Sequence, residues 1–222
     1  MEKFKLGKWN KIEFIAYLCV ILFILIQAIF SGDGTVTILS AICGITTTIL
    51  TGKGVPTCYI TGFVGSFLYA YLAYTNMLWG QMILYLGYYV PMQIIGFIQW
   101  KKHLKQDEYE IIKTKLTTNE IIMYSVIIVS GILVISGILN HYKDIHPVLD
   151  GITSVLSVFG VFLTVKRVIE QWYIWIVVNA LSLLMWIYVA LSGQHVWATV
   201  IMWAVYLFLG FYFCSKWKKE LN

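Results

Sequence analysis

Charged residues are scarce in this 222-residue sequence, at 12% of the chain. A soluble domain usually carries about 25% charged residues. Hydrophobic residues make up 59% of the sequence and the mean hydropathy is +0.78. The chain therefore has too little polar surface to cover a globule in water. The composition excludes a soluble class and predicts an integral membrane protein.

Motifs for catalysis and for metal binding are also missing. The four cysteines show neither CxxC nor metal-ligand spacing, and GxSxG, HExxH and Walker A sequences are absent. Asp150 is the one acid expected within a helix, and no second carboxylate or histidine accompanies it. We therefore expect no enzyme activity, no cofactor, no metal ion and no proton relay.

Long apolar runs are what the sequence does contain. A transmembrane helix needs roughly 17–25 mostly apolar residues. Eight runs come close to or fit this length, at 12–30, 35–50, 56–74, 77–100, 121–139, 148–164, 171–191 and 196–214, of which 35–50 is the shortest. They predict an all-α membrane protein with eight transmembrane segments.

The Lys and Arg residues are concentrated on one predicted side of the membrane. Eight crossings place both termini on the same side, and if that side is the cytoplasm, all 16 Lys and Arg except Lys143 fall on cytoplasmic segments. Cytoplasmic loops of membrane proteins carry an excess of Lys and Arg. The distribution predicts a multi-pass protein in a lipid bilayer with cytoplasmic termini. It also explains the net charge of +5 without a nucleic-acid partner.

A weak internal repeat is visible at an offset of about 114 residues. Lys53 matches Arg167, and Tyr59 matches Tyr173; with a short further insertion, Trp100 matches Trp217. The predicted copies are parallel repeats of three helices, and transporters commonly hold substrate between such halves. Chance similarity of two apolar triplets, each ending in an interface Trp and cytoplasmic Lys, is the alternative.

The repeat predicts four parts of the chain. They are an N-terminal segment with an additional helix (1–34), the first three-helix repeat (35–100), a cytoplasmic loop and connector helix (101–147), and the second repeat with a basic tail (148–222).

One aromatic and polar stripe stands out in the run 171–191. Trp172, Trp175 and Asn179 fall within about 60° of one another on one helix face, and Ser182 and Trp186 extend the stripe. Two indoles beside an amide could stack on a flat ring and hydrogen-bond its polar substituent. A cationic ring would gain roughly 0.5–2 kcal/mol from the aromatic faces. As an alternative, the two Trp are interface anchors, but Asn179 would still need a partner.

Further candidate substrate-binding residues lie on other helices. Gln93 lies well inside the run 77–100, so it needs a polar partner or a substrate. Tyr89 shares that run, and Tyr206 is its match in the second copy, although packing explains either Tyr alone. Asp150 is either a substrate residue or an acid that the helix dipole favours at a helix start. In the first copy, the small residues Cys58, Thr61 and Gly65 correspond to Trp172, Trp175 and Asn179 and would leave room for a ligand.

The stretch Trp172-x-x-Trp175-x-x-x-Asn179, preceded by Lys166-Arg167-x-x-Glu170-Gln171, resembles the WxxWxxxN signature of PnuC-type nicotinamide riboside transporters. The stretches 62–71 and 93–100, and Asp150 ahead of 154–157, are similar to that family too, so that the resemblance covers 35–217. In two places the chain departs from the pattern: Gly65 stands where some relatives have Asn, and 206–210 lacks an amide that is often found there.

This resemblance implies a facilitator that takes up nicotinamide riboside, a vitamin and NAD precursor, across the bacterial inner membrane. Transport would be facilitated diffusion by alternating access, drawn inward by intracellular phosphorylation. Trp172 and Trp175 would enclose the pyridinium ring, while Asn179 and Gln93 would bind its amide or ribose. The implied fold is a three-plus-one-plus-three arrangement related to SWEET proteins, with the run 12–30 as an additional helix, in a homotrimer.

Two other hypotheses stay open. Relatives of this family also carry thiamine or riboflavin, so the same type of facilitator could carry either vitamin, and competition between labelled substrates separates them. The second hypothesis is a non-transporting membrane sensor or scaffold, with the loop 101–120 as a docking segment. Substrate flux in proteoliposomes would exclude it.

Overall fold

The fold is all helical, as the sequence predicts. A computed structural model describes residues 11–31, 34–75, 79–105, 110–142, 147–191 and 197–221, and Lys143 lies outside them. The helices are α1 (Lys11–Ser31), α2 (Thr35–Lys53), α3 (Cys58–Thr75), α4 (Trp79–Leu84), α5 (Val90–Lys102), α6 (Thr118–His141), α7 (Pro147–Val165), α8 (Glu170–Leu191) and α9 (Trp197–Leu221).

A π-helical turn, Tyr85–Tyr89, joins α4 to α5 without a break. Pro91 explains it, because proline has no N–H to donate and its ring clashes with the carbonyl of the preceding helical turn. The helix widens there, and the Val90 N–H donates to the Tyr85 carbonyl five residues back. Such π turns are frequent at functional sites.

Each of the eight apolar runs coincides with a helix, when α4 and α5 count as one. By length and hydropathy alone, five stretches within the described residues could cross a bilayer: Thr35–Lys53, Met82–Lys102, Thr118–His141, Pro147–Val165 and Val200–Leu221. A multi-pass membrane protein follows from these helices, and the count of eight crossings stays a prediction.

The chain forms two compact units, Met1–Ile112 and Lys113–Asn222, which are called unit 1 and unit 2 below. In unit 1, α2 packs against α1 and α3, and α3 packs against α4 and α5. In unit 2, α6, α7, α8 and α9 pack in chain order. The cores include Leu50, Val55 and Trp100 in unit 1, and Leu163, Trp172 and Trp217 in unit 2.

The α2–α3 and α7–α8 turns share one backbone geometry. Each contains a residue in the left-handed region, Gly54 (φ 70°) in unit 1 and Arg167 (φ 64°) in unit 2. The Gly54 N–H donates to the Thr51 carbonyl (2.9 Å) and the Arg167 N–H to the Thr164 carbonyl (3.0 Å). The carbonyls of Gly54 and Arg167 then accept from chain segments that follow α5 and precede α6, respectively.

This geometry bears on the predicted register of the repeat. The two turns match when Arg167 is paired with Gly54, and not with Lys53, which favours an offset one residue shorter than the one that the sequence match predicted. In that register Tyr59 pairs with Trp172, and not with Tyr173 as predicted. A slip of one residue was possible because Lys53 aligns equally well with Arg167 or with the neighbouring Lys166, and only the backbone geometry separates the two. The alignment of Gly54 with Arg167 is called the corrected register below.

Candidate functional site

Trp172 lies in the first turn of α8 and is buried inside unit 2. Its ring stacks on Phe213 of α9, with 5.6 Å between ring centroids, and meets the edge of Trp217 at 5.8 Å. The residue is 2% exposed, and its Nε1 has no hydrogen-bond partner in the described part of the chain. Trp172 is thus covered by two aromatic rings from α9.

Trp175, one turn further along α8, is half-buried and lies against α7. Its Nε1 donates to Thr164 Oγ1 (3.3 Å), and that hydroxyl donates to the Gly160 carbonyl (2.7 Å). A Cβ at position 160 would come within 2.9 Å of the indole ring. Gly160 therefore allows the Trp175 ring to approach α7 closely, and the residue stays only half-buried.

Asn179 completes the stripe and lies against α9. It is 8% exposed, and its Nδ2 would be 3.9 Å from a Cβ placed on Gly210. No hydrogen bond joins this amide to another residue that the structure describes. Ser182 is buried one turn on, while the side chain of Trp186 lies outside the described residues. The stripe is thus divided: Trp172 and Asn179 lie against α9, and Trp175 against α7.

Gln93 belongs to unit 1, where it reaches from α5 to α3. Its Oε1 would be 2.5 Å from a Cβ placed on Gly62, so that a larger residue at position 62 would displace this amide. Ser66 lies one turn further along α3 and is buried. In the corrected register, Gly62 corresponds to Trp175, and Ser66 corresponds to Asn179.

Ser66 is a candidate that the sequence reasoning missed. The predicted register assigned Gly65 to the position of Asn179, and Gly65 faces Cys43 of α2. The pairing of Lys53-Gly54 with Lys166-Arg167 is the sequence signal that would have found Ser66.

Tyr89 closes a stack of three tyrosine rings in unit 1. Tyr85 lies parallel to Tyr89, with 4.5 Å between centroids, and Tyr69 of α3 stacks on Tyr85 at 4.3 Å. Tyr206, its match in unit 2, meets Trp203 edge-on at 5.8 Å. The two tyrosines therefore have aromatic neighbours of different geometry.

Asp150 lies in the first turn of α7 and is half-buried. The next residue, Gly151, packs closely on Ser136 of α6, whose Oγ is buried with no hydrogen-bond partner among the described residues. Within that part of the chain, no group of three His, Cys, Asp or Glu is close enough to hold a metal ion.

Comparisons with known proteins agree on one family. A family described as "Nicotinamide mononucleotide transporter" matches residues 34–219. The nicotinamide riboside transporter PnuC of Neisseria mucosa is 34% identical over 221 residues, which cover 96% of this chain and 83% of that protein. PnuC of Haemophilus influenzae is 28% identical over 189 residues, which cover 84% of this chain and 80% of that protein.

The fold agrees with that of a solved relative. The crystal structure of the vitamin B3 transporter PnuC matches with a TM-score of 0.81 and 31% identity, over 96% of this chain and 92% of that one.

Proposed function

The chain belongs to the nicotinamide mononucleotide transporter family, and we propose that it takes up nicotinamide riboside across the bacterial inner membrane. The family resemblance seen in the sequence is confirmed, and the family is one of transporters, not enzymes. Both similar proteins named above are nicotinamide riboside transporters by name. The proposed substrate is the one named for these relatives, and the side chains of α8 are chemically suited to bind it.

The single observation that carries this substrate is the pair Trp175 and Asn179 on α8. Nicotinamide riboside has a flat, cationic pyridinium ring with a carboxamide, joined to a ribose. The partly open face of Trp175 suits the cationic ring, and the Asn179 amide can both donate to and accept from a carboxamide. Asn179 is 8% exposed and has no hydrogen-bond partner among the described residues, so its amide is available to a ligand or to water.

The other candidate residues have supporting or secondary roles in this proposal. Because Trp172 is covered by Phe213 and Trp217, its proposed role is to fix the start of α8 and so to position Trp175 one turn further on. Gln93 remains a proposed second amide for the carboxamide or the ribose. The proposal retains three more substrate residues, which are Tyr89, Tyr206 and Asp150.

Transport is proposed to be facilitated diffusion by alternating access. The substrate enters as a cation that an aromatic wall favours. Intracellular phosphorylation adds negative charge to the ribose, which such a wall does not favour. The phosphorylated product therefore stays inside, and the free vitamin continues to flow inward.

The finer fold is part of the same proposal. The helices α2–α5 and α7–α9 form two three-helix repeats joined by α6, in the three-plus-one-plus-three arrangement of SWEET proteins, with α1 in addition. The shared geometry of the turns at Gly54 and Arg167 supports the repeat. The chain crosses the membrane eight times, has both termini in the cytoplasm and forms a homotrimer.

Uptake by the purified protein in proteoliposomes tests the function. We expect labelled nicotinamide riboside to accumulate to equilibrium without an ion gradient, and unlabelled nicotinamide riboside to compete better than thiamine or riboflavin. If thiamine competes better, the proposed mechanism stands and the assigned substrate becomes thiamine. Absence of flux for all three would contradict the proposal and favour a non-transporting sensor or scaffold.

A further inference from the structure

A buried ion pair ties the first helix to the second. The Lys53 side chain, at the end of α2, is 2% exposed, and its Nζ donates to Glu13 Oε2 at 2.5 Å. Glu13 is the third residue of α1. An ammonium group so deeply buried is costly without a carboxylate against it. The position of the end of α2 therefore depends on α1.

An ion pair of the same construction ties α6 to α7 in unit 2. The Lys166 Nζ donates to Glu120 Oε1 at 2.7 Å, and Glu120 is the third residue of α6. Lys166 directly precedes Arg167, just as Lys53 directly precedes Gly54, so the two lysines occupy equivalent positions in equivalent turns. In unit 2 both side chains are one-third exposed.

A tyrosine lies four residues after each glutamate, and the two tyrosines also contact corresponding positions of the neighbouring helix. The Tyr17 hydroxyl of α1 bonds to Thr46 Oγ1 of α2 at 2.8 Å. The Tyr124 ring of α6 meets the Phe159 ring of α7, with 6.2 Å between centroids, and its hydroxyl accepts from Lys166. Thr46 and Phe159 are themselves equivalent in the corrected register. Glutamate, tyrosine and both of their partners therefore correspond between the units.

We infer that α1 is the counterpart of α6, so that each unit is built from the same four helical segments, and that Glu13 and Lys53 are positioning residues for substrate binding. Lys53 and Gly54 begin the turn that leads into α3. That helix carries Gly62, against which the Gln93 amide packs. A displacement of the turn moves α3, and with it the space that Gln93 occupies. The binding part of this inference rests on the proposed function, and the structural part does not.

The test measures KM for nicotinamide riboside uptake and the thermal midpoint in detergent for four variants. In Glu13→Gln, the buried ammonium loses its carboxylate, and we expect a midpoint lower by about 5 °C or more. We expect its KM to rise about fivefold or more, as a distorted contact of about 1 kcal/mol would require. The charge-reversal variant Glu13→Lys/Lys53→Glu restores both quantities to within about twofold in KM and about 2 °C.

Two further variants separate this pair from ordinary ion pairs. Glu120→Gln removes the equivalent, partly exposed pair of unit 2, and we expect it to lower the midpoint by only about 2 °C, since exposed pairs contribute little. Glu110→Gln alters a longer, partly exposed contact with Lys105 (3.9 Å) and serves as the control without effect on either quantity.

Three results would overturn the inference: an unchanged midpoint in Glu13→Gln, a lower midpoint with unchanged KM, or a charge-reversal variant as impaired as the single variant. If Glu13→Gln cannot be purified, recovery of the reversed pair supports the inference and its loss opposes it. If the parent protein shows no uptake, the proposed substrate fails. The midpoints of the single and reversed variants still decide whether the pair holds the turn.

Discussion

The two units differ in which helix carries the candidate amide. In unit 1 the amide is Gln93 on α5, which packs over Gly62 of α3; in unit 2 it is Asn179 on α8, beside Gly210 of α9. Gln93 and Gly210 are equivalent when counted back from Trp100 and Trp217. Gly62, however, corresponds to Trp175 and not to Asn179, and a Cβ on Gly210 would meet Ile176 (3.1 Å) before Asn179 (3.9 Å). The two amides therefore pack differently in the two units.

The aromatic contacts near the predicted cytoplasmic ends differ in a similar way. Tyr59 of unit 1 and Trp172 of unit 2 are equivalent, and each meets a tryptophan edge, Trp100 at 5.0 Å and Trp217 at 5.8 Å. The Tyr59 ring fills the space above Gly96, whereas Trp172 stacks on Phe213 at the equivalent position of α9. At matching backbone positions, unit 1 therefore has one ring packed over a glycine, and unit 2 has two stacked rings. Of these two clusters, the one in unit 2 is the larger.

The largest expected effect comes from breaking this aromatic cluster. Phe213→Ala leaves a cavity under Trp172, and we expect the free energy of unfolding to fall by about 3 kcal/mol. Gly96→Ala is the matched change in unit 1, where the added Cβ would overlap the Tyr59 ring; we expect a smaller loss of about 2 kcal/mol from overpacking. Chemical denaturation of the purified protein measures both. A larger loss in Gly96→Ala would reverse the comparison.

The second effect concerns transport and tests the stripe on α8. Trp175→Ala removes the ring proposed to stack on the cationic substrate, which is worth about 2 kcal/mol when desolvated, so uptake at low substrate should fall about 30-fold. Tyr173→Ala, on the exposed side of the same helix, is the control and should retain uptake. Normal uptake in Trp175→Ala and Asn179→Ala, measured in proteoliposomes, would refute the assigned site.

The third effect tests the amide of unit 1. Gln93→Ala removes one hydrogen-bonding group that the proposal assigns to the substrate, and we expect about a tenfold rise in KM, or about 1.4 kcal/mol. Gln99→Ala, an exposed glutamine on the same helix, should leave KM unchanged. Equal KM values for the two variants would remove Gln93 from the site.

The smallest effect tests the equivalence of the two turns. Arg167 has a positive φ that costs a non-glycine residue about 1 kcal/mol, so Arg167→Gly should preserve or slightly raise the free energy of unfolding. Gly54→Ala imposes the same strain on unit 1 and should lower it by about 1 kcal/mol. Shifts of the same sign in the two variants, measured by thermal unfolding, would show that the turns are not equivalent.

Hydropathy and the WxxWxxxN stretch were sufficient to predict the helices and the family, because both signals are local in the sequence. The contacts of the candidate site could not be predicted in the same way. That Gln93 packs over Gly62, or Trp175 over Gly160, depends on which helix faces which, and similar apolar runs do not encode this. The corrected register depended on a backbone angle shared by glycine and arginine, two residues that no sequence comparison treats as alike.

The role of α1 was hidden for a different reason. The prediction treated the run 12–30 as an additional helix because the detected matches began after it. The correspondence between α1 and α6 is carried by two side chains, Glu13 and Tyr17 against Glu120 and Tyr124, within otherwise interchangeable apolar residues. The residues that these side chains contact on the neighbouring helix revealed the correspondence. A match of two residues becomes specific when their contact partners also match.

The most direct test of the central claim, that α8 binds nicotinamide riboside, is the thermal stability of the purified protein with nicotinamide riboside, thiamine or riboflavin. A ligand that binds only the folded state adds about 2.7 kcal/mol of stability at a hundredfold excess over Kd. The account predicts a clear rise in midpoint with nicotinamide riboside alone, lost in Trp175→Ala and Asn179→Ala. A rise with another vitamin alone, or one that persists in both variants, would contradict it.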